Sequence, residues 1–308
     1  MEKKFFYAPT TGRLDNKSMA THWEHTVPAY RNAPHVWNVG GQDNVAVFLI
    51  DTGDGLILID TGLNAETCYL VIDRIWASGH DPRDIKKIFL THWHGDHSCN
   101  ARVIKEMSGA EIWLSKEDEV EHKKHENMVG IVKEVAGRKT MTWVEADSEE
   151  AKEAGKKPDT IRYEVTNFFD DEKPIVMGNM TIRTKLCPGH TPGVTSFFFE
   201  DTDEETGKTY RIALHGGLGV NPMMRPEQLK ADGYSEEMAH RFIKDCYELA
   251  KMPVDIALSS HLNQANILPN IPKDPNDYTV FIADYAWADV LTNRADAVKE
   301  FYPEVYKK

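Results

Sequence analysis

The six residues His92-Trp93-His94-Gly95-Asp96-His97 carry four side chains of the kinds that bind transition metals. Neutral imidazoles and carboxylates build zinc sites that keep an open coordination position, as hydrolytic chemistry requires. Lys87-Ile88-Phe89-Leu90 before them reads as a short buried strand, and 101–107 after them as a helix. The ligand types thus belong to a strand-to-helix loop at a sheet edge, where α/β folds place their chemistry. In an extended chain His92 and His94, two apart, point to the same side. Asp96 and His97 are adjacent and diverge, which suits them to a second ion rather than the first. A polar loop that happens to be rich in histidine is the competing reading, and four such residues at this spacing weigh against it.

Two distant histidines can complete the site. Cys187-Pro188-Gly189-His190-Thr191-Pro192-Gly193 puts His190 in a tight turn stiffened by prolines and glycines, a device for holding one ligand rigidly. His261 follows the apolar run 255–258 through Ser259-Ser260, again at the C-terminal end of a strand. For both, the alternative is a hydrogen-bonded structural histidine. His215 ends the strand 210–214 and either orients a ligand from behind or is structural. Asp60, at the end of the strand 56–59, reads as the acceptor for a ligand histidine or as ordinary Asp-Thr-Gly turn chemistry. Cys99 reads as a small buried residue rather than a ligand.

The elements that must position these residues fall into two similar layers. An apolar hairpin spans 45–50 and 56–59 around Asp51-Thr52-Gly53-Asp54-Gly55, and its nearly continuous hydrophobicity predicts cover on both faces. A helix follows over 64–78 with Asn64 as N-cap, then the metal loop, its helix, and the strand 112–114. A second set contains strands at 174–176, 180–183, 196–199, 210–214 and 255–258. Helices over 235–251 and about 278–301 accompany it. Strands mixed with helices in both halves predict two sheets face to face with helices outside. Between the halves, 117–160 is charged and predicted to be a helical insert, long enough for a flap over the site. His122 and His125 fall there and are expected on a solvated face.

Composition limits the partners. With 308 residues, 41% of them hydrophobic, the chain can bury one large core. A formal charge of −13 argues against nucleic acid and anionic membranes, which demand clustered Lys and Arg. Nothing approaches the length of a transmembrane span, and the start lacks the apolar stretch of a signal peptide. A cytoplasmic location is expected, or a periplasmic or secreted one if a leader was removed. Cys68, Cys99, Cys187 and Cys246 lie far apart and are expected as reduced thiols. The oligomeric state is not legible.

His92-x-His94-x-Asp96-His97, the Pro-Gly-His190-Thr-Pro-Gly turn and the late His261 resemble the metallo-β-lactamase superfamily. That resemblance implies one αββα domain over 1–308 binding one or two metals. The likeness extends to the subclass of metallo-β-lactamases that uses only His and Asp ligands, without Cys. Pro34-His35-Val36-Trp37-Asn38-Val39-Gly40 looks like its opening strand, Leu58-Ile59-Asp60-Thr61-Gly62 like its second hairpin strand. Tyr285-Ala286-Trp287-Ala288 with Ala297-Val298-Lys299-Glu300 looks like its terminal helix. Carried over, His92, His94 and His190 would bind a first zinc, and Asp96, His97 and His261 a second. Hydrolytic relatives that use a bridging Asp place it after the strand ending at His215, where this chain has Gly216-Gly217. Trp93 is bulkier than is usual in the subclass, Leu262-Asn263-Gln264 departs from its pattern, and the insert is longer.

The implied activity is hydrolysis of a cyclic amide by a zinc-bound hydroxide, with Asp96 orienting the nucleophile and moving its proton. The alternatives are a lactone, thioester or ester hydrolase, or a non-catalytic metal-binding protein. The expected partner is a small-molecule substrate. Trp93, Trp23 and the Met223-Met224 pair could line its cleft, although such residues are mostly core, and Asn221 and Asn266 could donate to a substrate carboxylate.

Overall fold

The computed structural model describes residues 21–135, 138–155, 162–265 and 267–306. The first sheet contains β1 (Tyr30–Ala33), β2 (Val36–Asn38), β3 (Phe48–Asp51), β4 (Leu56–Ile59), β5 (Ile85–Phe89) and β6 (Glu111–Leu114). A hairpin stands by itself, β7 (Met128–Val135) with β8 (Arg138–Glu145), before β9 (Asn167–Phe168) closes the first sheet beside β6. The second sheet runs in spatial order β10 (Ile175–Met177), β11 (Met180–Leu186), β12 (Thr195–Asp203), β13 (Lys208–His215) and β14 (Ile256–Ser259).

The helices are α1 (Cys68–Ala77), α2 (Gly95–Ser98), α3 (Ala101–Ser108), α4 (Lys116–Lys124), α5 (Glu149–Glu153), α6 (Pro226–Ala231), α7 (Glu237–Leu249) and α8 (Ala286–Lys299).

Alternation along the strands explains the layering. Phe48, Ile50, Ile57, Ile59 and Phe89 face Phe197, Phe199, Ile212, Leu214, Ile256 and Leu258 in one core between the sheets. The intervening Leu49, Leu58, Ile88 and Leu90 face outward and pack on Val71 and Ile75 of α1 and Ile104 of α3. On the other side Ala213 and Ala257 are small where α7 and α8 come down with Phe242, Ile243, Trp287 and Leu291. Strands covered on both faces must be apolar throughout, so the continuous runs in the sequence have a physical cause. The expected αββα sandwich is the architecture found.

Topology gathers the site. β4, β5 and β6 are parallel, and so are β13 and β14, while β11 is antiparallel to β12, which is antiparallel to β13. The segments that leave β4, β5, β11, β13 and β14 therefore all emerge at one edge of the sandwich. They carry Asp60, His92, His190, Gly216 and His261.

Three expectations need correction. The 117–160 insert is helical only at α4 and the single turn of α5; between them the chain forms the β7–β8 hairpin. Val129, Ile131 and Val144 there alternate with polar or exposed residues and close over Ala151, a period-two pattern that the surrounding charges obscured. Residues 156–161 lie outside the described residues. The opening strand is a hairpin, β1 and β2 turning at Pro34-His35. The terminal helix begins only at Ala286, after a separate helical turn at Tyr278–Phe281. Among the described residues no helix is long and apolar enough to cross a membrane. Cys68, Cys187 and Cys246 are free thiols.

Candidate metal centre

Five imidazoles and one carboxylate meet at this edge. Ligand atoms of His92, His94 and His190 lie within 4.8 Å of one another, as do those of His92, Asp96 and His97. His261 joins the second group, its Nε2 3.2 Å from His97 Nε2 and 3.7 Å from Asp96 Oδ2. Asp96 and His97 lie in the helical turn α2, for which His94 is the N-cap. All six residues assigned from the sequence thus come together.

The hydrogen bonds behind the rings fix which nitrogen faces inward. His92 Nδ1 donates to the Gly216 carbonyl (3.1 Å), and His190 Nδ1 to the Gly219 carbonyl (3.0 Å). His97 Nδ1 donates to Asp60 Oδ2 (2.8 Å), and His261 Nδ1 to the amide oxygen of Asn44 (3.1 Å). Carbonyl and carboxylate oxygens only accept, so each of these four rings carries a proton on Nδ1 and turns Nε2 inward, bare whenever the ring is neutral. His97 and His261 thus bring their Nε2 atoms to 3.2 Å, and buried His92 Nε2 has no hydrogen-bond partner. His94 closes the other group, its Nδ1 3.1 Å from His190 Nε2. Lone pairs converging in a buried pocket call for a cation, and these residues fit one.

Electrostatics agree with that reading. Burial, then repulsion from neighbouring imidazoles, pushes His94 and His261 down to about 3 and His92 well below the ordinary histidine range. Burial lowers His190 as well. Burial disfavours ionised Asp96, yet the histidines around it hold its pKa down at about 2. His97 is the exception: burial opposes its charge, but Asp96 and Asp60 outweigh that and raise its pKa above the ordinary histidine value, so a metal must displace its proton. The other four neutral rings and the ionised carboxylate are in metal-binding protonation states.

Asp60 orients more than one group. Its carboxylate accepts from Thr91 N and Thr91 Oγ1, both at 2.8 Å, besides His97. Its backbone is left-handed (φ 62°), which aims the side chain under the metal loop. His215 does not join the cluster. Its Nδ1 accepts from Gly217 N (3.2 Å), and its ring packs near Phe242 and Trp287. It acts on the site only through the turn whose carbonyls hold His92 and His190. Burial pushes His215 down to about 3, so it stays neutral.

That turn has no room for side chains. A Cβ on Gly217 would lie 2.8 Å from Val194 Cγ2 and 3.1 Å from His190 Cβ, so a side chain there would have to displace its neighbours. A Cβ on Gly219 would lie 2.7 Å from His190 Nδ1. Gly219→Ala is expected to displace His190 and weaken metal binding about tenfold or more, measured by competition with a chromophoric chelator.

Sequence reading missed Asp118. This buried carboxyl accepts from Trp93 N (3.0 Å), Thr191 Oγ1 (2.8 Å) and Gly193 N (2.7 Å), tying the metal loop to the His190 turn. Burial raises its pKa to about 7. The available signal was Ser115-Lys116-Glu117-Asp118, a capping pattern at the start of α4. Asn44 was missed too, lying in a polar loop with no motif.

The expected substrate contacts fare unevenly. Trp93 is buried beside His94; Met223 and Met224 belong to the core under α7 and α8; Trp23 and Asn221 are exposed; Asn266 lies outside the described residues. His122 and His125 are not on a solvated face: their rings stack on Tyr163 (4.1 Å) and Trp93 (4.6 Å).

Comparison with known proteins agrees with the fold. Residues 40–203 match the family model of the metallo-beta-lactamase superfamily, and the chain belongs to that family. It is similar in structure to GOB-18, a metallo-beta-lactamase from Elizabethkingia meningoseptica: TM-score 0.71, 22% identity, over 98% of this chain and 100% of that one. BJP-1, a subclass B3 metallo-beta-lactamase of Bradyrhizobium japonicum, gives TM-score 0.70 at 20% identity over 94% and 96%. LRA-12, a class B3 di-zinc metallo-beta-lactamase from an Alaskan soil metagenome, gives 0.69 at 20% over 96% and 99%. At such identities the likeness is one of fold.

Proposed function

We propose that this protein is a di-zinc hydrolase that opens a cyclic amide, as β-lactamases do. The observation that carries the reading is the pair of inward-facing Nε2 atoms of His97 and His261, 3.2 Å apart beside Asp96 and next to the His92, His94 and His190 group. Two adjacent donor sets of three suit two ions. Imidazole and carboxylate ligands without thiolate suit zinc. Bound zinc supplies Lewis acidity and lowers the pKa of water to about 7.

The chain's own groups supply the rest. Asp60, Gly216, Gly219 and Asn44 hold four rings in one tautomer, so no ligand must reorganise during the reaction. Asp96 keeps a third of its side chain accessible. Its carboxylate can accept a hydrogen bond from attacking water, hold the proton and pass it to the leaving nitrogen. Asp96→Asn is expected to lower kcat by about 10²–10⁴-fold per bound zinc. A variant that keeps both ions and full activity contradicts the role.

The reading is tested by assaying zinc-loaded protein on a chromogenic cephalosporin, an acyl-homoserine lactone and a thioester in parallel. Turnover of the cephalosporin supports it. Turnover of the esters alone assigns a lactone or ester hydrolase, and bound zinc without turnover a metal-binding protein.

A further inference from the structure

The segment between β6 and β9 touches the metal centre through aromatic rings that the chemistry above does not use. His125, just past the end of α4, lies flat on Trp93, with ring centroids 4.6 Å apart and planes at 16°. Trp143 of β8 packs on both, 5.5 Å from Trp93 and 5.0 Å from His125. Trp93 in turn meets the ligand His94 edge to face at 4.9 Å. The three rings make a continuous wall that begins at a metal ligand and ends on the hairpin.

Local structure explains why Trp143 stands there. Its cross-strand partner is Gly130, so no opposing side chain competes for the space. Its neighbour Val144 points the other way, into the hairpin's own small core with Val129, Ile131 and Ala151. His125 is fixed by donating from Nδ1 to the Glu121 carbonyl (2.8 Å), and burial keeps it neutral. Trp93 is nearly buried, whereas Trp143 remains 36% exposed. The hairpin pairs with neither large sheet. A half-exposed indole backed by two rings that stack on each other offers apolar area at small conformational cost.

We propose that this wall is a substrate subsite on the His92/His94/His190 side of the centre, and that it selects substrates bearing a planar aromatic substituent there. Trp143 is the specificity-determining residue, His125 and Trp93 its backing. The inference rests on the hydrolase reading for its choice of ligand, but it can be tested without turnover.

The probes are two thiols, phenylmethanethiol and ethanethiol, titrated calorimetrically into zinc-loaded protein; sulfur is a good zinc ligand, so both anchor at the same end. Wild type is expected to prefer the aryl thiol. Trp143→Ala should shrink that preference by about two- to tenfold, the range of one aromatic contact, with ethanethiol affinity and zinc content kept. Trp143→Phe should retain most of the preference, which separates loss of the ring from damage to the hairpin. An unchanged preference in Trp143→Ala overturns the proposal, as does equal weakening of both thiols, the mark of a structural latch. Failure of either thiol to bind wild type overturns it too. A lost preference in Trp143→Ala with no hydrolysis of any substrate would instead sustain the subsite and sink the hydrolase reading.

Discussion

Asparagine in place of Asp60 is expected to leave the fold largely intact while lowering zinc affinity by about 10- to 100-fold. Asn is, after Gly, among the residues best suited to the left-handed backbone that Asp60 adopts (φ 62°), so the chain path is preserved. The side chain is not equivalent. The carboxylate accepts three hydrogen bonds, from Thr91 N, Thr91 Oγ1 and His97 Nδ1. An amide offers one acceptor oxygen and a donor NH2. If the NH2 meets His97, the ring must accept at Nδ1 and move its proton to Nε2, where it blocks metal. If the NH2 meets Thr91, it opposes a backbone N–H. Either way His97 or its loop is misplaced. Asp60→Ala leaves three buried donors unpaired, each worth about 1–3 kcal/mol, and is expected to unfold at markedly lower denaturant. Competition titration with zinc for Asp60→Asn and urea denaturation for Asp60→Ala check the pair.

Asp118→Asn is the second large effect. Two backbone N–H groups and a hydroxyl from two ligand-bearing segments converge on its carboxyl, and an amide cannot satisfy them all. A loss of about 1–3 kcal/mol is expected, with weaker binding at the His92/His94/His190 group. The cost should depend on pH in a definite sense. Burial holds the folded-state pKa at about 7, above that of an unfolded Asp, so the fold binds this proton more tightly than the unfolded chain does. Wild-type stability from this group is therefore greatest at low pH and falls as pH rises from the ordinary carboxylate range through 7. Asn does not titrate. The stability gap between wild type and variant should accordingly be wider at pH 5 than at pH 8, measured by urea midpoints in chelator; a gap that widens with pH contradicts the account.

How much of this was legible in the chain depended on whether a residue's role was local. His92, His94, Asp96 and His97 announce themselves because four ligands share one loop. His190 does so because prolines and glycines freeze its turn. Strands covered on both faces were legible from runs such as Leu56-Ile57-Leu58-Ile59. The β7–β8 hairpin was not, because Lys133 and Glu134, with Arg138 and Lys139 of the facing strand, carry the same charges as a solvated helix. Asp118 and Asn44 were hidden for another reason: their partners lie 75 and 217 residues away, and only the folded sheet edge joins them. His125 reads as one more polar residue in a charged stretch until Trp93 and Trp143 are seen to enclose it.

Two neighbouring cation sites, as proposed, draw their ligands from three distant stretches of the chain. Metal-free protein titrated with zinc to saturation, dialysed and analysed for metal content tests this most directly. Wild type should hold two zinc ions per chain, and His261→Ala one, because Asp96 and His97 alone keep only part of the second donor set. Wild type that saturates below two ions, or His261→Ala that still holds both as tightly, contradicts the account.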